Sequence, residues 1–310
     1  MKIAFFGSPA AARPALERLI QAGHSIELVV TQPDRPSGRG RTPLPPPVKE
    51  LALRLGLPCL QPTKIRDDEH ALQALQAASP DINVVVAFGQ IMPPSIIYLP
   101  AHNSVNVHFS LLPRYRGAAP VQWAILNGEE KTGVTIFELN EKMDEGDILT
   151  SQAVEIYPSE YAKDLEKRLS LVGADLLVRT LAQIDHLPRI PQEHSTASYA
   201  PRLKKEQGQL DWTRDALSVE RMVRAFSPWP GAFTFCRGQR LIIHVGRAAA
   251  LAAPCSAPGR IVEVRPQGIL VCCGSGTAFQ IERLQRENKR EMPAVEFLRG
   301  LRLDPGERLG

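Results

Sequence analysis

The stretch Ser104-Val105-Asn106-Val107-His108-Phe109-Ser110-Leu111-Leu112-Pro113 decides how this chain is read. Residues 104–109 form an apolar run that predicts a short strand, and successive side chains on a strand point to opposite faces. Asn106 and His108 then share one face, while Val105, Val107 and Phe109 occupy the other. Residues 110–113 end the strand, so the polar pair lies near its carboxyl end, where open α/β sheets gather their ligands. Asp144, in Met143-Asp144-Glu145-Gly146-Asp147, adds a carboxylate further along, and Gly146, free to take positive φ, lets its loop fold back towards the strand. An amide donor, an imidazole and a carboxylate meeting at a strand end are equipped to stabilise an oxyanion and to move a proton.

Outward from that stretch, strand-like and helix-like patterns alternate. Residues 3–6 and 26–30 predict buried strands, 10–21 a helix between them, 48–55 and 69–77 two further helices, and 83–88 a fully apolar strand. A strand at 133–139 and a long amphipathic helix at 161–184 follow. This order argues for an α/β fold with a Rossmann-like, mainly parallel sheet and helices on both faces. The first loop, Gly7-Ser8-Pro9-Ala10-Ala11-Ala12, lacks the later glycines of a dinucleotide fingerprint, so no nicotinamide cofactor is expected.

Pro188, Pro191 and Pro201 surround a polar stretch unable to build a core. Residues 189–205 therefore read as a semi-extended linker between a domain over 1–188 and another over 206–310. The second contains a predicted helix at 215–226 and short strands at 232–236, 241–245, 260–264, 269–272 and 278–284, separated by turn signals. That pattern suggests a small closed β-barrel, with Trp229 in its core.

Composition is that of a globular protein, with 44% hydrophobic and 23% charged residues among 310, so disorder is not suggested. No segment is long and apolar enough to suggest a membrane span or a secretory signal, and a cytoplasmic protein with no membrane partner is expected. Five cysteines without metal-ligand spacing predict reduced, mostly buried thiols and no metal site. Charge is uneven. Residues 206–310 hold 15 Lys and Arg against 11 Asp and Glu, which accounts for the whole net charge of +4; a surplus of this size is usual for a solvated surface and is also what a polyanion-binding module shows.

The segment Asn106-Val107-His108-Phe109-Ser110-Leu111-Leu112-Pro113-Arg114-Tyr115-Arg116-Gly117-Ala118-Ala119-Pro120 resembles the signature of the folate-dependent formyltransferases. The resemblance runs from Phe6-Gly7-Ser8-Pro9 to Phe297-Leu298-Arg299-Gly300, and is strongest to the members acting on initiator methionyl-tRNA. It implies the formyltransferase fold followed by an OB-like barrel. It also implies 10-formyltetrahydrofolate as formyl donor, and the free α-amine of methionine esterified to initiator tRNA as acceptor. The expected catalytic residues are Asn106, His108 and Asp144, with the proton taken by either His108 or Asp144. Ser110, Leu111, Leu112 and Pro113 are expected to border the folate, and the turn Phe88-Gly89-Gln90 to hold its pterin. Residues 32–47, carrying Arg35, Arg39 and Arg41, resemble a loop that approaches the tRNA acceptor end; Lys204 and Lys205 are the expected contacts from the linker. A monomer is expected.

Two positions depart from the family pattern. Phe109 stands where Gly or Pro is usual, so its ring must fit a pocket or alter the mouth of the folate cleft. Glu145 stands where Thr is frequent and is expected to point to solvent. Two other readings stay open at this point: a formyltransferase acting on a small amine such as an amino-sugar nucleotide or glycinamide ribonucleotide, and a non-catalytic RNA binder on the same scaffold.

Overall fold

A computed structural model describes residues 1–37, 42–251, 255–301 and 303–310. The chain divides into two compact units. The first comprises Met1–Pro120, Lys131–Glu155 and Glu166–Pro201, and the second Val121–Glu130, Ile156–Leu165 and Arg202–Gly310.

The elements up to the end of the long helix are β1 (Lys2–Gly7), α1 (Arg13–Gln21), β2 (Ser25–Val30), β3 (Arg35–Ser37), β4 (Thr42–Leu44), α2 (Pro47–Arg54), β5 (Cys59–Leu60), α3 (Glu69–Ala78), β6 (Ile82–Val86), α4 (Pro94–Ile97), β7 (Ser104–His108), α5 (Pro120–Leu126), β8 (Lys131–Glu138), β9 (Ile148–Glu155) and α6 (Ala162–Leu181). Among the described residues, the first unit is built on a seven-stranded sheet in the order β5-β2-β1-β6-β7-β8-β9. The first five strands are parallel, and β8 and β9 add antiparallel to β7. β6 is buried at every residue, as a parallel strand covered on both faces must be. Asp68 caps α3 by accepting a hydrogen bond from the Ala71 amide, so that helix starts where a side-chain acceptor meets an orphan N–H. On one side of the sheet, Ala4, Phe6, Leu28, Val30, Ile65, Leu75, Val85 and Phe88 form a continuous apolar core.

The strand order reverses direction beside β1, and such reversals open a crevice at the carboxyl ends of parallel strands. The end of β7 lies next to that of β6, with Asn106 paired to Val85. β9 has no counterpart in the sequence reading. It is an edge strand, with buried and open positions mixed and Thr150, Ser151 and Gln152 in its middle, so its apolar signal is weak.

The second unit carries α7 (Ala216–Ala225), β10 (Phe233–Cys236), β11 (Gln239–Ala249), β12 (Ile261–Arg265), β13 (Gly268–Cys272), β14 (Ala278–Arg286), β15 (Glu291–Pro293) and α8 (Ala294–Gly300). Its strands form an antiparallel sheet in the order β10-β11-β14-β13-β12, with β15 on β14. Backbone bridges join Leu309 to Cys236 of β10, and Arg308 to Arg260 just before β12.

Two expectations for this unit are overturned. Trp229 is 52% exposed rather than in the core. The interior place goes to Trp212, which is buried near Phe279 and donates its indole N–H to Thr234 Oγ1 at 3.0 Å. The cysteines are not all reduced: Cys255 and Cys272 form a disulfide. Pairing of Gly259 and Arg260 with Cys272 brings the segment after residue 254 alongside β13, leaving the two Cα atoms 5.9 Å apart, within bridging range. Cys59, Cys236 and Cys273 are free, and burial pushes the Cys273 thiol up to about 12. The cysteine content therefore no longer argues for a reducing compartment.

Candidate active site

β7 brings Asn106 and His108 out on one face, as the alternation requires. Asn106 is half-buried, and its carboxamide has no hydrogen-bond partner among the described residues. A free amide at a strand end is available to a ligand. His108 is 6% exposed, with its ring edge-on to Phe137 at 6.3 Å. Its Nε2 lies 2.9 Å from the Tyr115 carbonyl. A carbonyl only accepts, so Nε2 carries the hydrogen in the neutral ring, and the network assigns the lone pair to Nδ1. That nitrogen faces Asp144, whose Oδ2 is 3.8 Å away. The same oxygen accepts a 2.7 Å hydrogen bond from the Gly117 amide. The imidazole is thus held at one nitrogen and basic at the other, with a carboxylate placed to stabilise a positive charge on it.

The turn carrying Asp144 folds back for a reason different from the expected one. Positive φ at Gly146 is not what turns the chain; it is Asp144 itself that is left-handed, at φ 54°. Gly146 is needed for space: a Cβ there would lie 1.7 Å from the Glu138 carbonyl oxygen. Glu145 does not point freely to solvent. Its side chain is 20% exposed and its Oε1 lies 3.4 Å from Nη1 of Arg116, a guanidinium that is only 1% exposed. A cation removed from water needs such a partner.

Phe109 leaves the site alone. It faces away from Asn106 and His108 and is 8% exposed. A Cβ on Gly173 of α6 would lie 3.6 Å from the Phe109 ring and 2.9 Å from Val107, so the ring packs where the helix has no side chain. Phe109→Ala is expected to cost about 3–5 kcal/mol of stability, the usual loss for a buried ring, while leaving turnover of the folded protein near its original value. Denaturant unfolding and steady-state kinetics on the same preparation check both halves.

The residues expected around the folate are close to the triad along the chain but differ in availability. Ser110 is fully buried and braces its own turn, donating to the Arg114 carbonyl at 2.6 Å. The Leu112 amide donates to Thr135 Oγ1 at 3.1 Å, and that hydroxyl donates to the Ser110 carbonyl at 2.7 Å. The Leu112–Pro113 bond is cis, and Leu111 stays half-buried. Phe88 is a core residue, edge-on to Phe6 at 5.5 Å, and its carbonyl accepts from Gln32 Nε2 at 3.0 Å. The Gln90 side chain is committed to the neighbouring loop, accepting from the Ile65 amide and donating to the Pro62 carbonyl. Gly89, at φ 76°, has only Gln32 Nε2 near its missing Cβ, at 3.6 Å. Its open backbone, beside the 68% exposed Ile91, suits close approach of a flat polar ring. The residues present fit such a ligand through backbone and aliphatic groups rather than through the side chains of Phe88, Ser110 and Gln90.

Of the expected nucleic-acid contacts, Arg35 is exposed in β3, where its guanidinium donates to Gln32 Oε1 at 3.1 Å. Residues 35–37 and 42–44 pair as a hairpin, an order the glycine- and proline-rich sequence did not suggest. Arg39 and Arg41 lie outside the described residues. Lys204 and Lys205 are both exposed in the second unit. No group of acidic, His and Cys residues among those described is arranged to hold a metal ion, and no helix there is long and apolar enough to cross a membrane. Arg116, Gly117 and Gln192 did not emerge as site residues from the sequence. Arg116 and Gly117 sat within the quoted motif, but no local pattern ties Gln192 to Asp144.

Residues 1–181 match the formyl transferase family model and residues 202–302 the model of the formyl transferase C-terminal domain. The chain superimposes on HypX from Aquifex aeolicus in complex with tetrahydrofolic acid with a TM-score of 0.64 at 17% identity, covering 96% of this chain and 47% of that longer one. It is 46% identical to the methionyl-tRNA formyltransferase of Geobacter sulfurreducens, over all of this chain and 97% of that protein. Identity is also 46% to the methionyl-tRNA formyltransferase of Geobacter metallireducens, over all of this chain and 99% of that one. With likeness at that level along its whole length, the chain belongs to the methionyl-tRNA formyltransferase family.

Proposed function

We infer that this protein transfers the formyl group of 10-formyltetrahydrofolate to the free α-amine of methionyl initiator tRNA, supplying formylmethionyl-tRNA for translation initiation. The observation that carries the reading is the pairing of His108 with Asp144 at the end of β7, two residues beyond Asn106 on the same strand, in a chain of this family. When bound, the folate supplies the formyl group, and this chain's residues do the rest. Asn106 offers its unpartnered N–H to the formyl oxygen as negative charge develops there, a charge-independent donor at any pH. His108 Nδ1, fixed as the basic nitrogen by the Tyr115 carbonyl, takes the proton that the attacking amine must lose and returns it to the folate nitrogen that departs as its bond to the formyl carbon breaks. Asp144 stabilises the imidazolium so formed. The amine must be neutral to attack; a free α-amine titrates near about 7.7–8.0, and an ester neighbour lowers that value. No step calls for a metal or a covalent nucleophile. Leu111, Leu112 and Pro113, with the Gly89 backbone, border the folate, while Phe88, Gln90 and Ser110 shape the walls of that cleft from behind.

In this reading, residues 1–188 do the chemistry, 189–205 connect, and 206–310 form an OB-like barrel that grips the tRNA. Bridges from Leu309 and Arg308 to the two ends of the antiparallel sheet support closure of that barrel. Arg35, Arg39, Arg41, Lys204 and Lys205 hold phosphates. The protein works as a monomer in the cytoplasm, where charged tRNA and folate meet. With about five phosphates neutralised, tRNA affinity should fall roughly 130- to 500-fold between 50 and 200 mM salt. Replacing Lys204 and Lys205 by Ala should flatten the salt slope by nearly two units; an unchanged slope in filter binding would remove them from the interface.

The function itself is tested by offering labelled 10-formyltetrahydrofolate to the protein with methionyl initiator tRNA, the same tRNA uncharged, an amino-sugar nucleotide and glycinamide ribonucleotide. Label is expected only on the charged tRNA. Label on a small amine instead would replace this substrate with that one, and tRNA binding without transfer would leave a binder.

A further inference from the structure

The Asp144 turn is held from behind by a buried side chain that no part of the chemistry uses. Gln192 is 6% exposed. Its Nε2 donates both of its hydrogens, to the Asp144 carbonyl at 2.9 Å and to the Gly146 carbonyl at 2.8 Å, so one amide clasps the turn on either side of Glu145. Its Oε1 accepts from Arg116 Nε at 3.1 Å and Nη2 at 2.8 Å. Every donor and acceptor of the carboxamide is thereby spent, which fixes its orientation. Arg116 completes its own shell with His194 Nδ1 at 3.3 Å and Glu145 Oε1 at 3.4 Å.

The same stretch of chain holds the other half of the pair. The Tyr115 amide donates to Ser198 Oγ at 2.9 Å, the Arg116 amide to the Ser198 carbonyl at 2.8 Å, and the Ala200 amide to the Arg116 carbonyl at 2.7 Å. Tyr115 and Gly117 are the residues whose backbones bind His108 and Asp144. Residues 192–200 thus act as a strap that fixes the imidazole through one backbone segment and the carboxylate through that segment and the Gln192 amide. Asp144 needs such support, because a left-handed non-glycine residue persists only where its surroundings over-determine it.

We propose that Gln192, oriented by the buried Arg116, is a positioning residue for formyl transfer: its amide sets the Asp144 carboxylate against Nδ1 of His108. This rests on the catalytic reading of Asp144 given above. Misplacement of a reacting group by about 1 Å can cost on the order of 100-fold in rate.

Gln192→Glu separates positioning from packing. The carboxylate keeps an acceptor for Arg116 and nearly the same volume, but loses both N–H donors and turns an oxygen toward the two carbonyls. The expected result is a kcat lowered roughly 10- to 100-fold, with KM for folate and for tRNA within about two-fold. Gln192→Met, which has similar length and no donors, should behave the same way if the Glu variant is poorly soluble. In an Asp144→Asn background, either change should add less than about two-fold, since the group it positions is already lost. A kcat near that of the unaltered protein in both Gln192 variants would overturn the proposal, as would an equal loss with and without Asp144→Asn. If Asp144→Asn alone leaves kcat intact, it is the catalytic reading that fails instead.

Discussion

Replacing Asn106 by Ala is expected to lower the single-turnover rate of formyl transfer by roughly 100- to 1,000-fold, with the fold and tRNA affinity retained. Loss of one oxyanion donor typically removes about 2.7–4 kcal/mol of transition-state stabilisation. The full penalty applies here because Asn106 is half-buried and its side-chain amide makes no hydrogen bond among the described residues that could hold the strand. Truncation therefore removes a donor aimed outward and leaves the β6–β7 pairing in place. Asn106→Asp has the same shape, yet it replaces the donor with an acceptor bearing like charge, and it should be at least as slow as Ala. An Asp variant faster than Ala would show that this position orients a ligand rather than stabilising negative charge. Substrate KM values should change little, since the contact strengthens only as charge develops.

His108→Gln is expected to reduce the same rate by roughly 100- to 10,000-fold, the span usual for loss of a positioned proton acceptor. Gln is the informative choice. Its Nε2 can reach the Tyr115 carbonyl as the imidazole Nε2 does, at 2.9 Å, so the turn keeps its hydrogen bond. What disappears is the basic nitrogen facing Asp144. His108→Ala would also open a cavity beside Phe137, and the two losses would be confounded. Thermal unfolding of the Gln variant should stay close to that of the unaltered protein. A Gln variant transferring formyl within a few-fold of the original rate would assign proton removal to Asp144 or to solvent.

Part of the candidate site is legible in the sequence. Period-two alternation placed Asn106 and His108 together, because side chains on a strand have only two directions to choose from. The runs at 3–6 and 83–88 became β1 and β6 because strands covered on both faces carry few polar residues to confuse the pattern, the buried Asn83 being an exception. Where polarity and burial part company, the sequence is less informative. β9 escaped notice as an edge strand. Trp229 looked like core because it is large and apolar, yet Pro228, Pro230 and Gly231 form a turn that leaves it exposed. The disulfide depends on pairing between segments, which no spacing of cysteines predicts.

The same limit explains the errors around Asp144. Gly146 was given the wrong physical task, since a close approach to Glu138 cannot be seen in one dimension. Glu145 reads as a solvent-facing residue because its partner Arg116 is distant in sequence and a buried cation is uncommon. Gln192 was invisible for a related reason. Hydrogen bonds across long stretches of chain leave no local periodicity, and a lone glutamine in a polar, proline-rich segment reads as surface.

The most direct measurement is single-turnover transfer of labelled formyl to methionyl initiator tRNA, comparing the unaltered protein with the Asn106→Ala/His108→Gln double variant under saturating folate and tRNA. If an amide donor and an imidazole base together drive the transfer, the unaltered protein forms formylmethionyl-tRNA in one rapid phase and the double variant is slower by at least about 1,000-fold. A folded double variant transferring formyl within about ten-fold of the unaltered rate would contradict the account, whatever the residues' placement.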